Sequence, residues 1–419
     1  MNNLLYVCLD GLGDDPVPEL GGRTPLEAAR TPNLDRLAAS GRNGLVHTVG
    51  EGIAPESDIA VFAILGYDPT EEHPGRGVLE AIGSGMDFTD GDLAHRVNFA
   101  TQEGGEIVDR RVGRDLSSEE ARALADEVNR ELALPKATFR LHATVEHRGA
   151  LVIRSSEGPL SANVGNTDPA YAKQGSLGVA LEKFENRASR SEPLDDTEGA
   201  RRAADLTNLF VERSATILDG SEVNARRRAA GKLPGNLILT RDAGDHVPKL
   251  QPIKERFGPG WGCFVEMPVE RGIAMVLGMG EVPAPTPPQE ADRYASWAGL
   301  AREALGGYDA LYIHIKGPDV PAHDGRAEDK RDVIETIDEA FFGQLELDPR
   351  RTVVAVTADH ATSCPRKAHT DDPVPLLVAG PGVGSDGVET FGERAASKGA
   401  LGTLRGVQIL PEVVSLLKG

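Results

Sequence analysis

Three short apolar runs in this chain each lead into an aspartate: LLYVCLD closes on Asp10, ALYIHIKGPD on Asp319, and TVVAVTAD on Asp359. Runs this short, without polar alternation and bounded by turn residues, read as buried strands of a parallel sheet. PLLVAG at 375 to 380 reads as another. Helical segments alternate with them. TPLEAA carries a capping box from Thr24 to Glu27 with Pro25 at the first helical position, and TPNLDRLAASG repeats the Thr-Pro start and closes on Gly41. Strand and helix in alternation predict an α/β fold with a doubly wound sheet. In such a sheet the ligand crevice lies outside the carboxyl ends of the strands, so three acids far apart in sequence are expected to meet there. Converging carboxylates repel one another unless cations hold them.

Imidazoles accompany the acids. His323 follows Asp319 by four residues, with Pro321 between them predicting a loop, and His360 and His369 follow Asp359. Six such groups exceed what one tetrahedral ion uses. Mixed oxygen and nitrogen ligation suits manganese or zinc, with magnesium as a further candidate, and two ions absorb the whole set. Adjacent strand residues point to opposite sides, but at a strand end Asp359 and His360 can share one ion while His369 reaches the other. A nucleophile is also at hand. In EGIAPESDIAVFAILGYDP, Ser57 stands directly before an apolar helical run, where backbone N–H groups favour an anion. A serine there commonly caps the helix; a metal-activated alkoxide is the sharper alternative.

The formal charge of −20 works against nucleic acid and anionic membranes as partners, so an anionic substrate must be met locally by cations or arginines. No run approaches the length of a membrane span, and the N-terminal apolar stretch is too short for a secretion signal. Cys8, Cys263 and Cys364 lie far apart with no CxxC spacing, which favours a reducing cytoplasm over a disulfide framework. The proline cluster VPAPTPPQ at 282 to 289 reads as a surface connection. Between about residues 80 and 245 the texture changes to charged helices such as SSEEARALADEVNREL, with a Ser117–Glu120 capping box and Leu124, Val128 and Leu132 on one face. Residues 81–245 are therefore expected to form an inserted, smaller α/β domain, and residues 1–80 with 246–419 the metal-binding core.

The segments LDGLGDDP, TPLEAARTPNLDRLAASG, PESDIAVFAILGYDP, KGPDVPAHDG and ADHATSCPRKAHTDDPVP together resemble the archaeal-type cofactor-independent phosphoglycerate mutases of the alkaline phosphatase superfamily. The resemblance implies an alkaline-phosphatase-like core with an inserted cap, a two-metal site, and a phosphomutase that works on a small phosphorylated anion without 2,3-bisphosphoglycerate. It casts Ser57 as nucleophile, Asp10, Ser57, Asp359 and His360 as one metal set, and Asp319, His323 and His369 as the other. In HRVNFAT, DRRVGR, HRGALV and NTDPAY it points to Arg110, Arg114 and Arg148 as grips for phosphate and carboxylate, with Asp109 and Asp168 accepting from glycerate hydroxyls or orienting those arginines. Arg241, in LTRDAG where the family tends toward LRGAG, joins the substrate candidates, while Asp242 beside it and Lys316 receive no role. Arg226 to Arg228 read as a solvated helix face. The alternative is a related phosphomutase or phosphatase acting on another phosphorylated or phosphonate metabolite.

Overall fold

In the computed structural model, which describes residues 2–174, 177–181, 183–287 and 289–417, the chain divides into two compact units. One joins Met1–Glu72 to Leu250–Gly419; the other is His73–Lys249. The helix Arg76–Gly83, which a division at residue 80 would cut, belongs wholly to the second unit.

The first unit is built on an eight-stranded sheet in the order Gly280–Glu281, Trp261–Val265, Ala310–Ile315, Asn3–Leu9, Thr352–Thr357, Val374–Ala379, Arg42–His47, Gly402–Arg405. From Gly280–Glu281 to Thr352–Thr357 every pairing is parallel. Parallel neighbours need a crossover, and the helices Pro268–Val276, Glu290–Ala304 and Ala327–Ala340 supply it. Asn3–Leu9, Ala310–Ile315 and Thr352–Thr357 lie side by side at the centre, their residues buried but for partly covered Asn3. Asp10, Asp319 and Asp359 thus follow the carboxyl ends of three neighbouring strands. PLLVAG departs from expectation: Val374–Ala379 runs antiparallel to Thr352–Thr357. Between Thr357 and Val374 the chain forms no helix, only the hairpin of Ala361–Ser363 with Ala368–Thr370, so it must return in the opposite direction. The sheet is mixed.

The Thr24–Glu27 capping box is formed, with Thr24 Oγ1 accepting from Glu27 N at 3.1 Å, but its helix is short, Pro25–Ala28. At Pro32–Ser40 the preceding Thr31 makes no cap; Asp338 of another helix accepts from Asn33 N and Leu34 N instead, at 3.2 and 2.8 Å. The proline cluster connects Gly280–Glu281 to Glu290–Ala304 without regular structure, and its Pro288 lies outside the described residues. All three cysteines are free and buried. Among the described residues no helix is long and apolar enough to cross a membrane.

The second unit carries an antiparallel sheet of Glu106–Asp109, Leu93–Glu103, Arg148–Ser155 and Ala137–Ala143, with Leu237–Gly244 also pairing Leu93–Glu103. The helix Ser118–Glu131 has its Ser117–Glu120 box and buries Leu124 and Val128 in a core shared with Leu151, Phe210 and Ile238. Arg227 corrects the reading of residues 226 to 228 as a solvated face: it is 2 % exposed and ion-paired with Asp115 and Glu120. It lies four residues after buried Val223, on the inner face of the helix Glu222–Ala229.

Candidate functional site

Ser57 is the first residue of a helix, Ser57–Ile64, that is buried throughout; Glu56 is the N-cap, and its side chain makes no capping hydrogen bond. The reading of Ser57 as a mere cap therefore fails. With no capping duty its hydroxyl turns to His360, and Oγ lies 3.1 Å from Nε2. The same Nε2 is 3.1 Å from Asp359 Oδ2 and 3.6 Å from Asp10 Oδ1. Both carboxylates are fully buried, and neither of those two oxygens accepts a hydrogen bond among the described residues. Their other oxygens are taken: Asp359 Oδ1 receives Gly11 N and His360 N, each at 3.0 Å, and Asp10 Oδ2 receives His314 Nε2 at 3.0 Å and Lys316 Nζ at 2.7 Å.

Asp319 opens a short helix, Asp319–His323, where a loop was expected. Pro321 sits in its first turn, where no intrahelical N–H bond is required, so the ring is tolerated. Asp319 Oδ1 is 3.4 Å from His323 Nε2 and 3.8 Å from His369 Nε2. The far nitrogens of these rings are tethered to backbone carbonyls, His323 Nδ1 to Lys367 O at 3.3 Å and His369 Nδ1 to Pro55 O at 2.8 Å. Such tethers are what fix a ligating imidazole. The rings of His360 and His369 stack with centroids 3.6 Å apart.

Donor atoms of Asp10, Asp359 and His360 converge closely enough to share one ion, and so do those of Asp319, His360 and His369. The seven residues expected at the metals therefore stand together, but His360 borders both clusters, whereas the division into two sets assigned it to one. Lys316, left without a role by the sequence, bridges the sets, with Nζ 2.7 Å from Asp10 Oδ2 and 2.8 Å from Asp319 Oδ2.

The electrostatics follow from burial and this crowding. Burial alone would raise the Asp319 carboxyl, but Lys316 and the imidazoles of His323, His360 and His369 hold it well below the usual carboxylate range. Asp359 is lowered in the same way against its burial, by His360 first and then His314 and Lys316. Burial pushes the Cys8 thiol up to about 12, so it stays protonated beside His314.

Several participants escaped the sequence reading. His314 interrupts the otherwise aliphatic and aromatic buried strand Ala310–Ile315, and that incongruity was its signal. Gly11 has φ +62°, and a Cβ there would stand 2.6 Å from Thr362 Oγ1 and 2.8 Å from Asp319 Oδ1. Lys330, fully buried, gives its ammonium to Gly13 O, Asp14 Oδ2 and Thr362 O, each at 2.9 Å.

The substrate candidates lie in the second unit. Arg110 forks onto Asp168, Nε to Oδ1 at 2.9 Å and the terminal nitrogen to Oδ2 at 2.6 Å, and its guanidinium is 5.2 Å from the Tyr171 ring centroid. Arg241 lies 3.7 Å over the same ring. Asp168 thus orients an arginine. Asp109 caps a turn, accepting from Arg111 N and Gly113 N at 2.6 and 3.0 Å. Val112, Gly113 and Arg114 all have positive φ there. Arg148 is 3.5 Å from Glu146. Arg111, missed from sequence, feels burial first and then the positive charges of Arg114, Arg110 and Arg241, and its proton affinity is lowered accordingly. Asp242 is buried beside Arg241 with φ +55°, and its N–H donates to Asn166 Oδ1.

Comparison with known proteins gives this arrangement its class. A family model described as 2,3-bisphosphoglycerate-independent phosphoglycerate mutase matches residues 38–224. A protein of that name from Aeropyrum pernix is 43% identical over 99% of this chain and 100% of its own length, and one from Methanopyrus kandleri is 39% identical over 97% and 94%. Among solved structures, a cofactor-independent phosphoglycerate mutase from Thermoplasma acidophilum covers all of both chains at 34% identity with a TM-score of 0.64. A Pyrococcus horikoshii protein reaches 0.79 at 30% identity, covering 100% of this chain and 97% of its own. The chain belongs to the 2,3-bisphosphoglycerate-independent phosphoglycerate mutase family.

Proposed function

We propose that the protein interconverts 3-phosphoglycerate and 2-phosphoglycerate without 2,3-bisphosphoglycerate, through a phosphoserine at Ser57 beside two divalent cations. The observation that carries this reading is the Ser57 hydroxyl at the start of a buried helix, 3.1 Å from His360 Nε2. The donor set fits such ions: four groups, Asp10, Ser57, Asp359 and His360, would hold one, and Asp319, His323 and His369 the other. Carboxylate mixed with imidazole suits manganese or zinc better than magnesium, and buried Asp10 Oδ1 and Asp359 Oδ2 have no hydrogen bond among the described residues that would otherwise satisfy them. Bound ions would lower the hydroxyl's pKa and neutralise charge on the phosphoryl oxygens.

Ser57 Oγ attacks phosphorus, the bond from phosphorus to the C3 oxygen breaks, and that oxygen gains a proton as the serine loses one. The helix N-terminus holds the phosphate now on Ser57. The glycerate 2-hydroxyl then attacks the same phosphorus, Oγ leaves and is reprotonated, and 2-phosphoglycerate results. Residues of the second unit, Arg110, Arg114, Arg148 and Arg241 with Arg111, are assigned to gripping the carboxylate and phosphate, Asp168 and Asp109 to holding those arginines in place. The mutase reaction requires glycerate to be retained between the two transfers, since escape would leave hydrolysis of the phosphoserine as the outcome.

An enolase-coupled assay on manganese-loaded protein tests the reaction, with conversion expected whether or not 2,3-bisphosphoglycerate is added. Ser57→Ala is expected to abolish both turnover and incorporation of labelled phosphate into the protein. Undiminished turnover by that variant would remove the serine mechanism, and free phosphate released in step with substrate loss would select a phosphatase.

A further inference from the structure

Thr362, the middle residue of the hairpin strand Ala361–Ser363, is fully buried. Its Oγ1 lies 2.8 Å from Asp319 Oδ1 and 3.1 Å from His360 Nδ1. A hydroxyl has one proton to give, and the Asp319 carboxylate can only accept. The proton therefore goes to Asp319, and Oγ1 in turn accepts from His360 Nδ1–H. This leaves the lone pair of His360 Nε2 facing Ser57 Oγ at 3.1 Å and the free oxygens of Asp359 and Asp10 at 3.1 and 3.6 Å.

The hydroxyl is not free to turn away. Thr362 N donates to Gly13 O at 2.9 Å, and Thr362 O accepts from buried Lys330 at the same distance. The β-branched side chain has few rotamers once the backbone is held, and the hydrogen-only face of Gly11 packs against Oγ1. In the reading above, on which this inference rests, Asp319 belongs to one cation set and His360, which borders both clusters, is assigned to the other. We propose that Thr362 is a positioning residue that couples the two cation sites, its single hydroxyl aiming the imidazole of one set and the carboxylate of the other.

Groups that orient metal ligands typically change metal affinity about 10- to 100-fold when removed. Metal-stripped protein titrated with Mn²⁺, with free ion followed by electron paramagnetic resonance, reads both sites without reference to turnover. Thr362→Val keeps the shape and deletes the hydroxyl; it is expected to weaken both ions by about tenfold or more, whereas Thr362→Ser restores each to within about threefold. Thr362→Cys, of similar size but a poor hydrogen-bonding partner, replaces the valine variant if the near-ultraviolet dichroism of the latter shows that it has not folded. Weakening of one ion alone, or of neither, overturns the coupling. Equal weakening in the serine variant overturns it too, because lost packing would then be the cause. Wild-type protein that binds fewer than two ions removes the two-cation reading itself, and the coupling with it.

Discussion

Replacing Lys330 by methionine isolates one buried charge. The ammonium has no exposed surface and all three of its protons are used, at 2.9 Å each, on Gly13 O, Asp14 Oδ2 and Thr362 O. Methionine fills similar space but leaves the equally buried Asp14 carboxylate with Oδ2 unpaired, while Oδ1 keeps the N–H groups of Asp15 and Cys364. Breaking a buried pair from one side costs about 3–5 kcal/mol. For a unit of this size, about 2–4 °C per kcal/mol translates this into a Tm lower by about 6–20 °C. Trp261 and Trp297 are the only tryptophans of the chain and both belong to the first unit, so tryptophan fluorescence during urea unfolding of metal-free protein follows that unit alone. Adding Asp14→Asn to Lys330→Met removes the orphaned charge, and the double variant is expected to recover about half of the loss. A single variant within about 1 kcal/mol of wild type, or a double variant no better than the single, would refute the assignment of Lys330 as a buried counter-charge.

Gly11→Ala adds a methyl 2.6 Å from Thr362 Oγ1 at a positive φ and is expected to weaken Mn²⁺ binding by about tenfold or more in the same titration. Arg110→Lys loses the fork onto Asp168 and the contact with Tyr171, so steady-state kinetics are expected to show KM for phosphoglycerate raised about tenfold with kcat little changed. Burial brings His95 and His147 of the second unit down to about 3, aided by Lys173 for the first and by arginines for the second. Because the unfolded chain binds those protons first, stability present above pH 6.5 is withdrawn as pH falls toward 3. Between pH 7 and 5 each histidine should subtract about 2 kcal/mol, measured by hydrogen exchange in Leu93–Glu103, with the slope reduced in His147→Asn.

The strand ends were legible because burial on both faces leaves an uninterrupted apolar run, and an acid closing such a run stands out. Direction was not legible in the same way, since an apolar run reads alike parallel or antiparallel; the missing helix between Thr357 and Val374 was the cue that Val374–Ala379 turns back. The grouping of Asp10, Asp319, Asp359 and the histidines could be anticipated from the rule that crevices form at strand ends, whereas Ser57 was marked by its place before an apolar helical run and joined to them through the family likeness. The hydrogen bonds of Thr362 to Asp319 and of Lys330 to Gly13, Asp14 and Thr362 could not, because they arise only when segments 32 to 317 residues apart are brought together. Arg227 was hidden by its neighbours: Arg226 and Arg228 are exposed, and only its spacing from Val223 marks it as inward-facing. Arg111 sat in a candidate segment but between two arginines that drew the assignment.

The central position of Asn3–Leu9 has a consequence for synthesis. The strands on either side of it are Ala310–Ile315 and Thr352–Thr357, so at ~5–20 residues per second the first neighbour leaves the ribosome about 15–60 s after it. During that interval the strands of His73–Lys249 can pair among themselves, while an apolar segment with two open edges waits in the growing polypeptide. Nascent chains stalled before residue 310 are therefore expected to depend on chaperones, and completed ones to be released from that dependence as the centre of the sheet closes.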